Sequence, residues 1–161
     1  MGDTKADPTE RRRVAFHEAG HGIVLWSFNI NVMRLYICDS GDGQVAAGSP
    51  THLPIRDQIA ITMAGWAGAE IGGYPHSSLE CAELTLDRLA AEDIAIGVLG
   101  AKDNDADETA IRSLLVEGRE KARMIIETHR ARFEAIAERL FLGGVIDADE
   151  ISSLLPSLEA P

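Results

Sequence analysis

Residues 14–26 read Val14-Ala15-Phe16-His17-Glu18-Ala19-Gly20-His21-Gly22-Ile23-Val24-Leu25-Trp26, an apolar run broken by two histidines and one glutamate. His17, Glu18 and His21 form an HExxH pattern. On a helix, residues four apart share a face, so both imidazoles can approach one metal ion while Glu18 projects beside it. Neutral imidazoles suit zinc, and a catalytic zinc site takes three protein ligands and leaves one position open. Zinc polarises a carbonyl and makes water acidic enough for Glu18 to accept its proton. The plainer reading is a helix whose histidines are solvated or hydrogen-bonded. The apolar flanks argue against it, because burying three polar side chains is costly unless each finds a partner.

Working outward, Asp7-Pro8-Thr9-Glu10 predicts a helix start, with Asp7 as cap, Pro8 in the first turn and Glu10 reaching back. The helix is expected from about Pro8 to Phe28. Residues 1–6 are expected to be a flexible N-terminus, and 7–161 one domain. Arg11, Arg12 and Arg13 read as a solvated face. β-Branched and aromatic residues predict a strand over Ile30–Ile37, a turn at residues 38–43 and a returning strand from Gln44 to Gly48. A second helix is expected over Ile55–Ile71, with Ala60, Ala64 and Gly68 as a smooth ridge for close helix contact. Residues 79–99 read as an interrupted helix and 102–108 as an acidic loop. A long helix follows from Ile111 to Leu140, and a short capped one from Asp147 towards Pro156. The fold class is mainly α with a small β-hairpin or sheet, organised on the HExxH helix.

Composition narrows the function. The 161 residues carry 15 Lys and Arg against 26 Asp and Glu, a formal charge of −11. Contact with nucleic-acid phosphates or anionic lipid needs a basic face, so neither is expected. No apolar run approaches the ~20 residues that span a bilayer. The start, MGDTKADPTERRR, has no apolar segment behind its charges and does not read as a signal peptide. Cys38 and Cys81 lack zinc-finger spacing and read as reduced, buried thiols. A cytoplasmic location is expected.

The third metal ligand is open on spacing alone. A metzincin would need Gly at 24 and His at 27, where Val24 and Ser27 stand. A thermolysin-like ExxxD is matched by Glu83 and Asp87.

Several stretches resemble the FtsH family of metallopeptidases. Arg12-Arg13-Val14-Ala15-Phe16-His17-Glu18-Ala19-Gly20-His21 resembles that family's zinc-helix signature. Met33-Arg34-Leu35-Tyr36-Ile37 before a Gly-containing turn looks like its strand after the zinc helix. Ala64-Gly65-Trp66-Ala67-Gly68-Ala69-Glu70-Ile71 is similar to its AGRxAEE helix, with Trp66 in place of Arg. Ala91-Glu92-Asp93-Ile94 looks like its ASNDL segment, whose Asp is a zinc ligand. The resemblance spans roughly residues 11–150 and implies an FtsH-type peptidase domain. It implies zinc held by His17, His21 and Asp93, with Asp87 as the rival third ligand and Glu83 behind it. Asp93 lies 72 residues after His21, near the family's interval, and Asp87 lies 66 after. Glu70 is implied near the zinc helix, as an acceptor for a ligand histidine.

The implied activity is zinc-dependent hydrolysis of peptide bonds, with Glu18 as the base. The chain has no Walker A loop, so it brings no ATPase, and the substrates expected are peptides or unfolded segments. A separate ATPase or a homo-oligomer is the expected partner. The rival readings are a binding or regulatory module that keeps the fold without cleaving, and a zinc hydrolase of some other bond. His52 and His76 read as solvated, His129 as packed and bonded to a neighbour, and Trp26 and Trp66 as core.

Overall fold

A computed structural model describes residues 7–74, 82–99 and 108–158, apart from the side chains of 82–85. The N-terminal six residues, His76, Cys81, the side chain of Glu83 and the acidic segment 102–107 lie outside the described residues.

Helix α1 (Pro8–Ser27) is buried over most of the stretch from Arg13 to Trp26, which makes that stretch an interior helix. It runs through the middle of the molecule, with Ala15, Ala19, Ile23 and Val24 sealed from solvent. Its start differs from expectation. Asp7 makes no side-chain cap, and Glu10 pairs with Arg13 instead of reaching back to Asp7. The three arginines are not simply a solvated face either. Arg13 is buried, Arg12 bridges to Glu138 at 2.7 Å, and Arg11 donates to the Phe141 carbonyl at 3.1 Å. An Arg on the last carbonyls of a helix satisfies acceptors that have no partner within it.

After α1 the chain forms β1 (Val32–Ile37) and β2 (Gly43–Ala47), antiparallel, with Tyr36 opposite Gln44 and Leu35 opposite Val45. A third strand, β3 (Val145–Ile146), pairs with the other side of β1, giving the order β2-β1-β3. Two residues carry no alternation, so β3 has no signature in the sequence. β2 is thus an edge strand of the described sheet.

The two long helices expected downstream are each divided. Ile55–Ile71 becomes α2 (Ile55–Thr62) and α3 (Ala64–Ile71), joined at Met63. The stretch 111–140 becomes α5 (Glu108–Thr128) and α6 (Arg130–Gly143), joined at His129. α4 (Ala82–Leu99), by contrast, is continuous through Gly97. α6 ends on Gly144, whose φ of +74° is the left-handed conformation that stops a helix. α7 (Ala148–Leu154) is capped by Asp147, which accepts from the Glu150 amide at 3.2 Å, while the Glu150 side chain bonds Arg139. No helix among the described residues is long and apolar enough to cross a membrane.

The closest packing joins α1 to α3. A Cβ on Gly20 would overlap the carbonyl oxygen of Ala64, and one on Gly68 would sit 2.5 Å from the Phe16 oxygen. The two backbones touch, as the Ala64–Gly68 part of the ridge predicts. The backbone nitrogen of Ala60, by contrast, lies close to Gly118 of α5. Phe133 and Ile136 of α6 and Ile126 of α5 close the core around α1.

In an unstrained helix interior Gly→Ala stabilises by about 0.5–1 kcal/mol. At Gly20 the sign should reverse, because the added methyl overpacks the contact at a cost of about 1–3 kcal/mol. A urea midpoint that falls with an unchanged slope is the expected result for Gly20→Ala; an unchanged or higher midpoint contradicts the packing described.

Candidate metal centre

His17 and His21 lie one turn apart on α1 and turn their Nε2 atoms to the same point, 3.3 Å from each other. The third group there comes from α4. The Asp87 Oδ2 lies 3.1 Å from Nε2 of His17 and 3.1 Å from Nε2 of His21. Donor atoms about 2.0–2.1 Å from a tetrahedral zinc ion stand about 3.3 Å apart, so this triangle has the edges of three corners of such a site. The donor set, two imidazoles and a carboxylate, is also one that zinc accepts. The residues present fit the metal.

Asp93, the carboxylate preferred on interval, is not brought to the histidines. It lies six residues further along α4 and is exposed, whereas Asp87 is partly buried. Six residues turn a helix by about 240°, so both carboxylates cannot face one site. Asp87 shares its face with Ala91 and Ala95, both sealed from solvent. That small-residue stripe, read back one turn, was the available sequence signal for Asp87.

Glu18 is 4% exposed and lies between α1 and the hairpin. A Cβ at Gly43 would sit 2.5 Å from Glu18 Oε1 and 2.6 Å from its Cγ, so the start of β2 rests directly on this carboxylate. An open cleft of about 300 Å³ runs past these groups, walled by Leu25, Gln44, Val45 and Leu86. Gly43 and Leu86 have no sequence signature as site residues; only the folded hairpin and α4 bring them here.

His21 is oriented by its other nitrogen. Its Nδ1–H donates to the Ile61 carbonyl at 3.0 Å, which leaves Nε2 as the atom turned to the site. Burial is the largest influence on the His21 pKa and lowers it. The charge and hydrogen bond of Asp87, the charge of Glu18 and the Ile61 carbonyl outweigh burial and bring it to about 9. For Asp87, burial pushes upward, and the His21 charge with hydrogen bonds from both imidazoles holds the carboxyl well below its usual range. Both shifts favour a proton on His21 and a negative charge on Asp87.

Other singled-out residues fall elsewhere. Glu70 accepts from the Trp66 indole at 3.2 Å and lies 3.8 Å from Arg119; it bonds neither histidine. Trp26 is buried, with its indole N–H donating to the Pro156 carbonyl at 2.9 Å. Trp66 is half-buried on a separate groove between α3, α4 and α5. His129 packs edge-on against Trp26, ring centroids 4.9 Å apart. His52 is exposed. Cys38 is not buried but half-exposed in the hairpin turn, its Sγ 2.8 Å from Ser40 Oγ.

Two imidazoles of one helix are thus met by a carboxylate from a later helix. No family model matches the chain. Over 94% of its length it is 29% identical to the ATP-dependent zinc metalloprotease FtsH of Lactococcus lactis subsp. lactis, covering 27% of that protein. Over 99% of its length it is 26% identical to the FtsH of Streptococcus pneumoniae, and over 94% it is 25% identical to FtsH 4 of Synechocystis, covering 31% of each. The chain thus spans less than a third of the length of these relatives.

The charge pairing fixes a pH dependence for the metal-free protein. The His21 pKa is raised in the fold from 6.5 to about 9. Its contribution to stability is therefore complete below pH 6.5 and is lost as pH rises through about 9. Urea unfolding in chelator should show this loss between pH 6.5 and 9.5 for the wild type. Asp87→Asn, lacking the partner charge, should show a much flatter profile; equal profiles would contradict the pairing.

Proposed function

We propose that this chain is a zinc-dependent metallopeptidase related to the FtsH proteases, acting on flexible or unfolded polypeptide. The observation that carries the proposal is the His17–His21–Asp87 donor triangle with Glu18 on the adjoining position of the same helix. His17, His21 and Asp87 would hold the ion. When bound there, zinc supplies a polarised carbonyl and water acidic enough to be deprotonated near neutral pH.

The remaining tasks fall to the chain itself. Glu18 accepts the proton of the attacking water and delivers it to the leaving amine. Its burial, together with Gly43 pressed against it, holds the carboxylate in one place for both transfers. The edge of β2 passes along the cleft at Gln44 and Val45, where an extended substrate can add as a further strand. Main-chain pairing of that kind binds with little regard to side chains, which suits unfolded polypeptide. A separate ATPase would supply unfolding of folded substrates, and a homo-oligomer is the alternative partner.

The test is a zinc and peptidase measurement on four chains. Wild type should bind about one zinc and cleave an unfolded substrate such as casein. Glu18→Gln should keep the zinc and lose roughly 10²-fold or more in activity, since general acid–base catalysis contributes that much. Asp87→Asn should lose zinc affinity steeply, and Asp93→Asn should behave as wild type. Zinc binding without cleavage of any polypeptide would favour a non-cleaving module. Loss of zinc in Asp93→Asn alone would overturn the ligand set.

A second substitution tests the seat of the base. Gly43→Ala places a methyl against Glu18 without touching the triangle. It should lower kcat by about tenfold or more while zinc content stays at the wild-type level, on the same scale as a misplaced catalytic group. Unchanged kcat would show that Gly43 does not set the position of Glu18.

A further inference from the structure

The two imidazoles are positioned by different means. His21 is anchored through Nδ1 to the Ile61 carbonyl. His17 is 2% exposed, and its Nδ1 has no hydrogen-bond partner, so no polar contact on that edge fixes the ring's rotation. A ligand histidine normally has that nitrogen engaged. The Cε1–Nε2 edge of the His17 ring, next to that nitrogen, meets the backbone of α3. A Cβ built on Gly65 would overlap Cε1 and Nε2 of His17, and would lie 2.5 Å from Nε2 of His21.

Gly65 has no conformational reason to be glycine. It lies within helix α3 and is absent from the residues with positive φ. At such a position alanine is the better helix former. The reason lies across the contact, where the only space a side chain could take is filled by the two imidazoles.

We infer that Gly65 is a positioning residue of the site. Its bare Cα is the wall against which the His17 ring rests, and it does for His17 what the Ile61 carbonyl does for His21. The consequence for metal rests on the reading of His17 and His21 as ligands; the packing itself does not. A methyl at residue 65 must turn one or both rings away from Asp87 and open the donor triangle.

The experiment compares wild type, Gly65→Ala and Gly118→Ala, titrated with zinc alone and with cobalt(II) alone as a spectroscopic stand-in. Gly118→Ala is the control for overpacking: its Cβ would lie 2.5 Å from Ile59 Cγ2, between α5 and α2, away from the histidines. Gly65→Ala should bind zinc about 10–100-fold more weakly, the scale seen when the support of a ligand is removed. It should also lose the visible bands of tetrahedral cobalt. Gly118→Ala should keep the wild-type affinity and bands even if its melting temperature falls. A second arm reads packing without metal: Gly65→Ala placed in a His17→Ala/His21→Ala chain. With both rings gone, the melting temperature should hold or rise, whereas in the wild-type background it should fall.

Wild-type zinc affinity in Gly65→Ala overturns the inference, as does an equal melting-temperature loss with and without the rings. If the wild type itself binds no zinc, the metallopeptidase reading fails, and the second arm still decides whether Gly65 positions the rings.

Discussion

Two helices can bring their backbones into contact only where the side chains at the crossing are small or absent, and the placement of the imidazoles follows from that contact between α1 and α3. Gly20 and Gly68 let the helices meet, and Ala64 accepts the approach of Gly20. The same approach delivers Gly65 to the His17 and His21 rings and the end of α2 to His21 Nδ1. The division of 55–71 at Met63 belongs to this arrangement. The Ile61 carbonyl, which an unbroken helix aims at the amide four residues on, accepts from an imidazole instead. Tight packing and ligand orientation are therefore one feature rather than two.

The electrostatics of the buried site depend on that enclosure. His17 and Glu18 are buried, and Glu18 and Asp87 place two carboxylates near two imidazoles. The raised His21 pKa and the lowered Asp87 pKa favour a protonated imidazole balancing the carboxylate. A divalent ion at the same donors would take over that balancing role and release the proton, so folding, pairing and metal affinity all draw on the same few atoms. Similarity to FtsH proteases along nearly the whole chain accords with this arrangement, although those relatives are more than three times as long.

The parts of this architecture that were legible in the sequence are those written in local periodicity. HExxH reads directly because four residues make one helical turn, and β1 and β2 read from β-branched residues around a Gly-rich turn. The Ala64–Gly68 ridge also announced its contact. What escaped was set by distant partners. The breaks at Met63 and His129 carry no Gly or Pro, so no helix-stopping residue marks them. β3 is too short to show a pattern. Asp87 and Asp93 are both acidic residues on one helix, and interval alone favoured the one that turns outward; the buried face marked by Ala91 and Ala95 separates them. Gly43 and Gly65 acquire meaning only when Glu18 and the imidazoles are placed against them.

Zinc K-edge X-ray absorption of the zinc-loaded wild type tests the central claim most directly, because it reads the ligand atoms themselves. The account predicts a four-coordinate ion with only nitrogen and oxygen neighbours at about 2.0–2.1 Å and the multiple-scattering signature of two imidazoles. Sulfur neighbours at about 2.3 Å, or fewer than two imidazoles, would contradict it.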